Sequence, residues 1–267
     1  MPTEFPPDDL LHPRGIILAN QHYTRAPIAE AIISIEVAGG RDHALTEFAS
    51  ILADEPSYLP AQPYFAVFGQ VDFRDGVTVP RTSSSTEVAG LSFSRPDRRQ
   101  IVQVSPAQYA FVTLPPYTFW GDFLTDAMAS WRRYSTVRQA ELITRLGVRF
   151  VNRIDVPKSV IELKDYLRTT VELSPYLPQA VRQLFLQATI PFGSSGVEVT
   201  ISSAIAEPPR SGISSLLLDI NATSVCNLQL DQQTSEENLL AELRTLRAAK
   251  NYAFEACITD ATRGLIE

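Results

Sequence analysis

Three arginines pose the first chemical question. Arg145, Arg149 and Arg153 fall four residues apart in the stretch 144–156, TRLGVRFVNRIDV. There Leu146, Val148, Phe150, Asn152, Ile154 and Val156 alternate with Arg145, Gly147, Arg149, Val151, Arg153 and Asp155. Successive side chains of a strand leave opposite faces, so this alternation predicts a half-buried β-strand with one apolar and one guanidinium-bearing face. The basic stripe would run roughly 26 Å. Guanidinium forks bind carboxylates and phosphates through paired hydrogen bonds, which is the chemistry the stripe offers. Its companions are Glu30 and Glu36 on an early strand, and Asp219 and Asn221 on one face of LLLDINAT.

Two arrangements of these residues are open. In one they interlock as a cross-strand ion-pair network on a sheet face. In the other, Arg145, Arg149, Arg153, Glu30, Asp219 and Asn221 line a groove for an anionic small molecule or a protein partner. Tyr109, Phe111 and Gln70 would then supply its floor or wall. Asn152, the polar residue on the apolar face, is expected to bond neighbouring backbone.

Other chemistries find less support. His12, His22 and His43 are the three histidines and lie in or near the N-terminal region, so a Ser-His-Asp or Cys-His site would have to borrow from there. Cys226 and Cys257 are far apart and match no zinc-ligand spacing; they read as small buried apolar residues. The run Gly193-Ser194-Ser195-Gly196 links two strands and so meets no helix N-terminus that could hold a phosphate. Asp155 with Glu162 and Lys164 loosely mimics the acidic pair and lysine of a metal-dependent nuclease. Glu162 and Lys164 are two residues apart in an expected helix, however, and would point to different faces. No catalytic residue, metal or cofactor is assigned.

Composition narrows the partners. The chain has 267 residues, a formal net charge of −7, a pI near 5.1 and 45% hydrophobic content. Non-specific nucleic-acid binding depends on clustered basic residues and is not expected. No apolar run approaches the ~20 residues that span a bilayer. The opening MPTEFPPDDLLHPRG has no basic and apolar signal pattern, so a cytoplasmic location is expected.

The elements that must position these residues follow from periodicity. Residues 1–24 are Pro-rich and aperiodic and read as an arm. Residues 25–267 read as one duplicated unit, with halves near 25–135 and 143–267. Strands are expected at 28–37, 64–73, 87–95 and 101–114, the last broken near Ser105-Pro106. Turn signals separate them at Asp75-Gly76, Thr82–Ser85 and Pro96-Asp97. Helices are expected at 42–53 and 119–134; in the second, Trp120, Phe123, Leu124, Ala127, Trp131 and Tyr134 form a single apolar stripe. After the arginine strand come a helix at 159–170, strands at 184–192, 197–205 and 214–223, and a long C-terminal helix behind a Thr234-x-x-Glu237 capping box. That helix buries Leu239, Leu243, Leu246, Ala253, Phe254, Cys257, Ala261 and Leu265. Strand runs between helices predict an α+β fold, an antiparallel sheet with helices on one face, the first strands of the two halves meeting near its centre.

The segments PIAEAIISIEV, FWGDF, RLGVRFVNRIDVP, LLLDIN and AFEACIT together resemble a sporadically distributed bacterial family of about 260 residues. That resemblance implies a single unit over nearly the whole chain and brings no catalytic residue with it. The strand–helix–strand–strand order also looks like sensor domains of the GyrI-like and SOUL type, a likeness of architecture alone. The expected function is therefore a non-catalytic binding or sensor protein that recognises an anionic small molecule or a protein partner. The alternative is a metal-dependent enzyme acting on nucleotides or nucleic acid through Asp155, Asp219 and Glu30, in a defence or toxin–antitoxin setting.

Overall fold

Alternating apolar and polar residues build a nine-stranded sheet in a computed structural model that describes residues 22–71, 82–178, 181–192, 196–230 and 235–267. The strands are β1 (Ile28–Ala38), β2 (Gln62–Val71), β3 (Thr82–Ser94), β4 (Gln100–Val104), β5 (Gln108–Thr113), β6 (Leu142–Val156), β7 (Phe185–Phe192), β8 (Val197–Ala206) and β9 (Ser214–Gln229). They lie in the order β2-β3-β4-β5-β1-β6-β9-β8-β7, and every neighbouring pair is antiparallel. The arginine strand β6 is thus interior, between β1 and β9. The fold is α+β, as the strand runs imply.

Register decides which face is dry. Ile33 lies opposite Val148, and Val148 opposite Ala222, so the apolar alternates of β1, β6 and β9 stack on one face. There Ile33, Ile35, Leu146, Val148, Ile154, Leu216, Leu218 and Ile220 are all buried. Burying a side chain of this size contributes roughly 1.5–3 kcal/mol. The opposite face carries the charged alternates.

Helices cover the apolar face. α1 (Trp120–Arg138) buries Trp120, Phe123, Ala127, Trp131 and Tyr134. Tyr109 of β5 meets Trp131 edge-on at 5.5 Å, and its hydroxyl donates to the Ala127 carbonyl at 2.6 Å. Tyr109 and Phe111 therefore belong to the core under α1 and cannot line a groove on the arginine face. α3 (Ser235–Cys257) packs over β9, β6 and β8 with Leu239, Leu243, Leu246, Ala253 and Cys257 buried.

Several elements depart from their periodicity. The helix expected at 159–170 is one turn, α2 (Leu163–Tyr166), and Val160 is 84% exposed. Leu167 instead bridges to Ile258, and the Arg168 N–H donates to the Cys257 carbonyl at 2.7 Å. The C-terminal helix is interrupted after Cys257; Thr259 then caps α4 (Asp260–Ile266) by accepting from the Thr262 N–H. The helix at 42–53 is a 3-10 helix over Leu45–Ser50. Thr82–Ser85, read as a turn, begin β3, because their backbone pairs with residues 68–71 of β2. Residues 1–21, the Asp75-Gly76 turn, Gly193–Ser195 and the capping residue Thr234 lie outside the described residues, as does the side chain of Gln70.

Candidate functional site

On the open face of β6 each arginine has a partner. Arg149 Nε donates to Asp219 Oδ1 at 2.9 Å and Nη2 to Oδ2 at 2.7 Å, a two-pronged pair across β6 and β9. That hydrogen bonding raises the guanidinium pKa of Arg149, and the nearby Glu30 charge adds to the effect. Arg153 Nε donates to Asp155 Oδ1 at 3.0 Å, while Nη2 reaches the Glu207 carbonyl and Ser215 Oγ. Arg145 Nη2 makes a long 3.4 Å bond to Thr223 Oγ1. Asn221 stands between Arg149 and Thr200 in the register, and Glu30 is half-buried opposite Val151. The stripe and its expected companions thus come together on one sheet face, with Asp219 and Asp155 occupied by arginine. Among the described residues no cluster of three or more His, Cys, Asp or Glu is disposed to hold a metal ion.

A second constellation lies on the other side of the same strand. Phe150 and Asn152, on the dry face of β6, floor a cavity of about 430 Å³. Its walls come from residues 22–28, from the 115–120 loop and from α3. A volume of this size suits a small ligand.

Each wall has a local reason. Asn152 is fixed by donating from Nδ2 to the carbonyls of Leu218 (3.0 Å) and Phe150 (3.3 Å), as its isolated position on an apolar face demands. Residues 22–28 are pinned by Tyr23, whose hydroxyl donates to Glu255 Oε1 at 2.8 Å, and by the Arg25 N–H, which donates to the Ile266 carbonyl at 3.0 Å. Burial first, and then the Glu255 carboxylate, push the Tyr23 phenol up to about 12. The ring of Tyr117 meets Phe150 edge-on at 5.3 Å, and burial holds its hydroxyl in the neutral form. Phe119 and Trp120, at the start of α1, complete the wall; Phe119 offers no side-chain cap, and Asp122 places a carboxylate in the first turn.

The chemistry sits on α3. Arg247 and Lys250 are one helical turn apart and both line the cavity. Arg247 stacks over Trp120 at 5.2 Å, and the Lys250 nitrogen stands 3.8 Å from the centroid of the Phe150 ring. Lys250 is buried, and among the described residues neither cation forms an ion pair or hydrogen bond. Desolvation, helped by the Arg247 charge, brings the Lys250 amine down to about 7; Glu255 opposes this. Burial lowers Arg247 also, yet a guanidinium stays charged. Glu255, the nearest carboxylate of the wall, is spent on Tyr23 and on Arg263, whose Nη2 lies 3.1 Å away.

Neither cation follows from the reading of the arginine stripe. One signal was present: of 23 Lys and Arg residues only Lys158, Lys164 and Lys250 are lysines. Lys250 also falls inside the apolar repeat Leu243, Leu246, Ala253, Cys257, where a helix buries its side chains. No protein-family model matches the chain, and no curated protein matches it.

Proposed function

We propose that the protein is a non-catalytic binding protein for a small anionic molecule, held in the aromatic cavity between β6, α3 and the 115–120 loop. One observation supports this above the rest: Arg247 and Lys250 face the same cavity, among the described residues neither is ion-paired, and the Glu255 carboxylate of the wall is engaged by Tyr23 and Arg263. By contrast, Arg132, Arg133, Arg149, Arg153 and Arg263 each meet an Asp or Glu. The exposed Arg247 charge and the buried Lys250 charge raise each other's free energy, and an incoming carboxylate or phosphate would relieve that repulsion. Trp120, Tyr117 and Phe150 supply flat apolar walls, which favour a ligand with an unsaturated or aromatic body.

A thermal-shift panel of carboxylates and phosphates tests this reading. A binder near 100 times its Kd should raise the melting temperature by roughly 5 °C or more. Arg247→Gln should cut the shift to about half or less while leaving the ligand-free transition in place. A panel without any shift would count against the pocket.

A further inference from the structure

Lys250 has a second property that anion binding does not use. We infer that Lys250 is a nucleophilic amine that condenses with the carbonyl group of a ligand, an aldehyde or ketone whose anionic end is held by Arg247. The inference rests on the pocket reading above and narrows its ligand class to oxo-acids and related anionic carbonyl compounds.

The geometry supports it from three sides. The amine faces a cavity and stands on the Phe150 ring, and among the described residues no carboxylate or carbonyl fixes it as an ammonium. Arg247, one turn away, supplies a permanent charge that disfavours a second one and can orient an anionic ligand. The chain places arginine at nearly every basic position, yet a lysine stands here. Guanidinium cannot give up its proton, whereas an amine can, so this position has the basic side chain capable of attack. With the amine at about 7, roughly half is unprotonated at neutral pH, against about one in 2,500 for an exposed lysine.

The step balances without an oxidant. The Nζ lone pair forms a bond to the carbonyl carbon, giving a carbinolamine. The carbonyl oxygen then leaves as water, taking the two amine hydrogens, and a C=N bond remains. Tyr117, Tyr23, His22 and Arg25 face the cavity from the other elements, and Glu255 and Arg247 from the lysine's own helix.

Reductive trapping tests the inference on the full chain. The protein is incubated at pH 7 with glyoxylate, or with the neutral propionaldehyde, and sodium cyanoborohydride, then mapped by peptide mass. Lys250 should be labelled about tenfold or more faster than Lys158 and Lys164. Lys250→Met, checked for a cooperative melt, should lose that adduct alone. Arg247→Gln should slow labelling by glyoxylate more than by propionaldehyde, since both lose the charge that lowers the amine and glyoxylate also loses its anchor. Equal labelling of all three lysines, or an unlabelled Lys250, would overturn the inference. If anions still shift the melting transition in that case, the pocket reading stands without it. If propionaldehyde labels Lys250 selectively and no anion binds, the imine chemistry stands and Arg247 has no ligand role.

Discussion

The Lys250 nitrogen rests 3.8 Å from the centroid of the Phe150 ring, and the residue before that phenylalanine is Arg149, locked to Asp219 on the opposite face of the same strand. One strand therefore carries two unlike cation environments back to back. Arg149 is half-exposed and paired; Lys250 is buried and unpaired among the described residues. This contrast separates the structural role of the sheet's outer face from the chemistry of its inner one, and each has its own test.

The Lys250 amine should leave a mark on stability against pH. An unfolded lysine keeps its proton to about pH 10.4. The folded one releases it near 7. Between these values unfolding takes up a proton, so stability rises with pH by about 1.4 kcal/mol per unit; below 7 the full penalty remains. Lys250→Met should therefore be more stable than the parent at pH 6 by roughly 2–4 kcal/mol, a difference that shrinks towards pH 9.5. Urea denaturation of both proteins across this range measures it.

Asp219→Asn should act on the outer face alone. The pair with Arg149 is partly screened by water, so its loss should cost only about 1 kcal/mol. Denaturation midpoints at low and high salt check this, with the smaller difference at high salt. Ligand binding in the cavity should be unchanged.

Tyr23→Phe should loosen the cavity wall formed by residues 22–28. It removes the hydroxyl that donates to Glu255 at 2.8 Å while Arg263 still satisfies that carboxylate. A loss of about 1 kcal/mol is expected, together with faster amide exchange at Arg25. Hydrogen-exchange mass spectrometry reads the second effect directly.

Tyr109→Phe should destabilise the seam between α1 and β5. Its buried hydroxyl donates to the Ala127 carbonyl and lies 2.7 Å from Ser130 Oγ. Ser130 Oγ keeps its bonds to the Asp126 and Ala127 carbonyls, so the loss of the hydroxyl should cost about 1 kcal/mol, and the denaturant midpoint should fall accordingly.

The sheet was readable because its signal is local. The alternation in 144–156 named both faces of β6, and the same period marked β1, β8 and β9. The two-residue register also brought Arg149 to Asp219, since residues of one face on adjacent strands must meet. Helix lengths were less readable. Val160, Leu163 and Leu167 have helical spacing, but a short helix needs tertiary support, and the Leu167 backbone pairs with Ile258 instead. The cavity left almost no pattern: Tyr23, Tyr117, Phe150 and Lys250 come from four distant segments, and only folding brings them together. A lysine within an apolar helical stripe was the one local sign.

Anion binding beside Arg247 is measured by calorimetric titration of benzoate into the parent protein and into Arg247→Gln. The parent should bind saturably and the variant about tenfold or more weakly, the loss of one charge-assisted contact. Equal affinity for both proteins, or no heat from either, would contradict it.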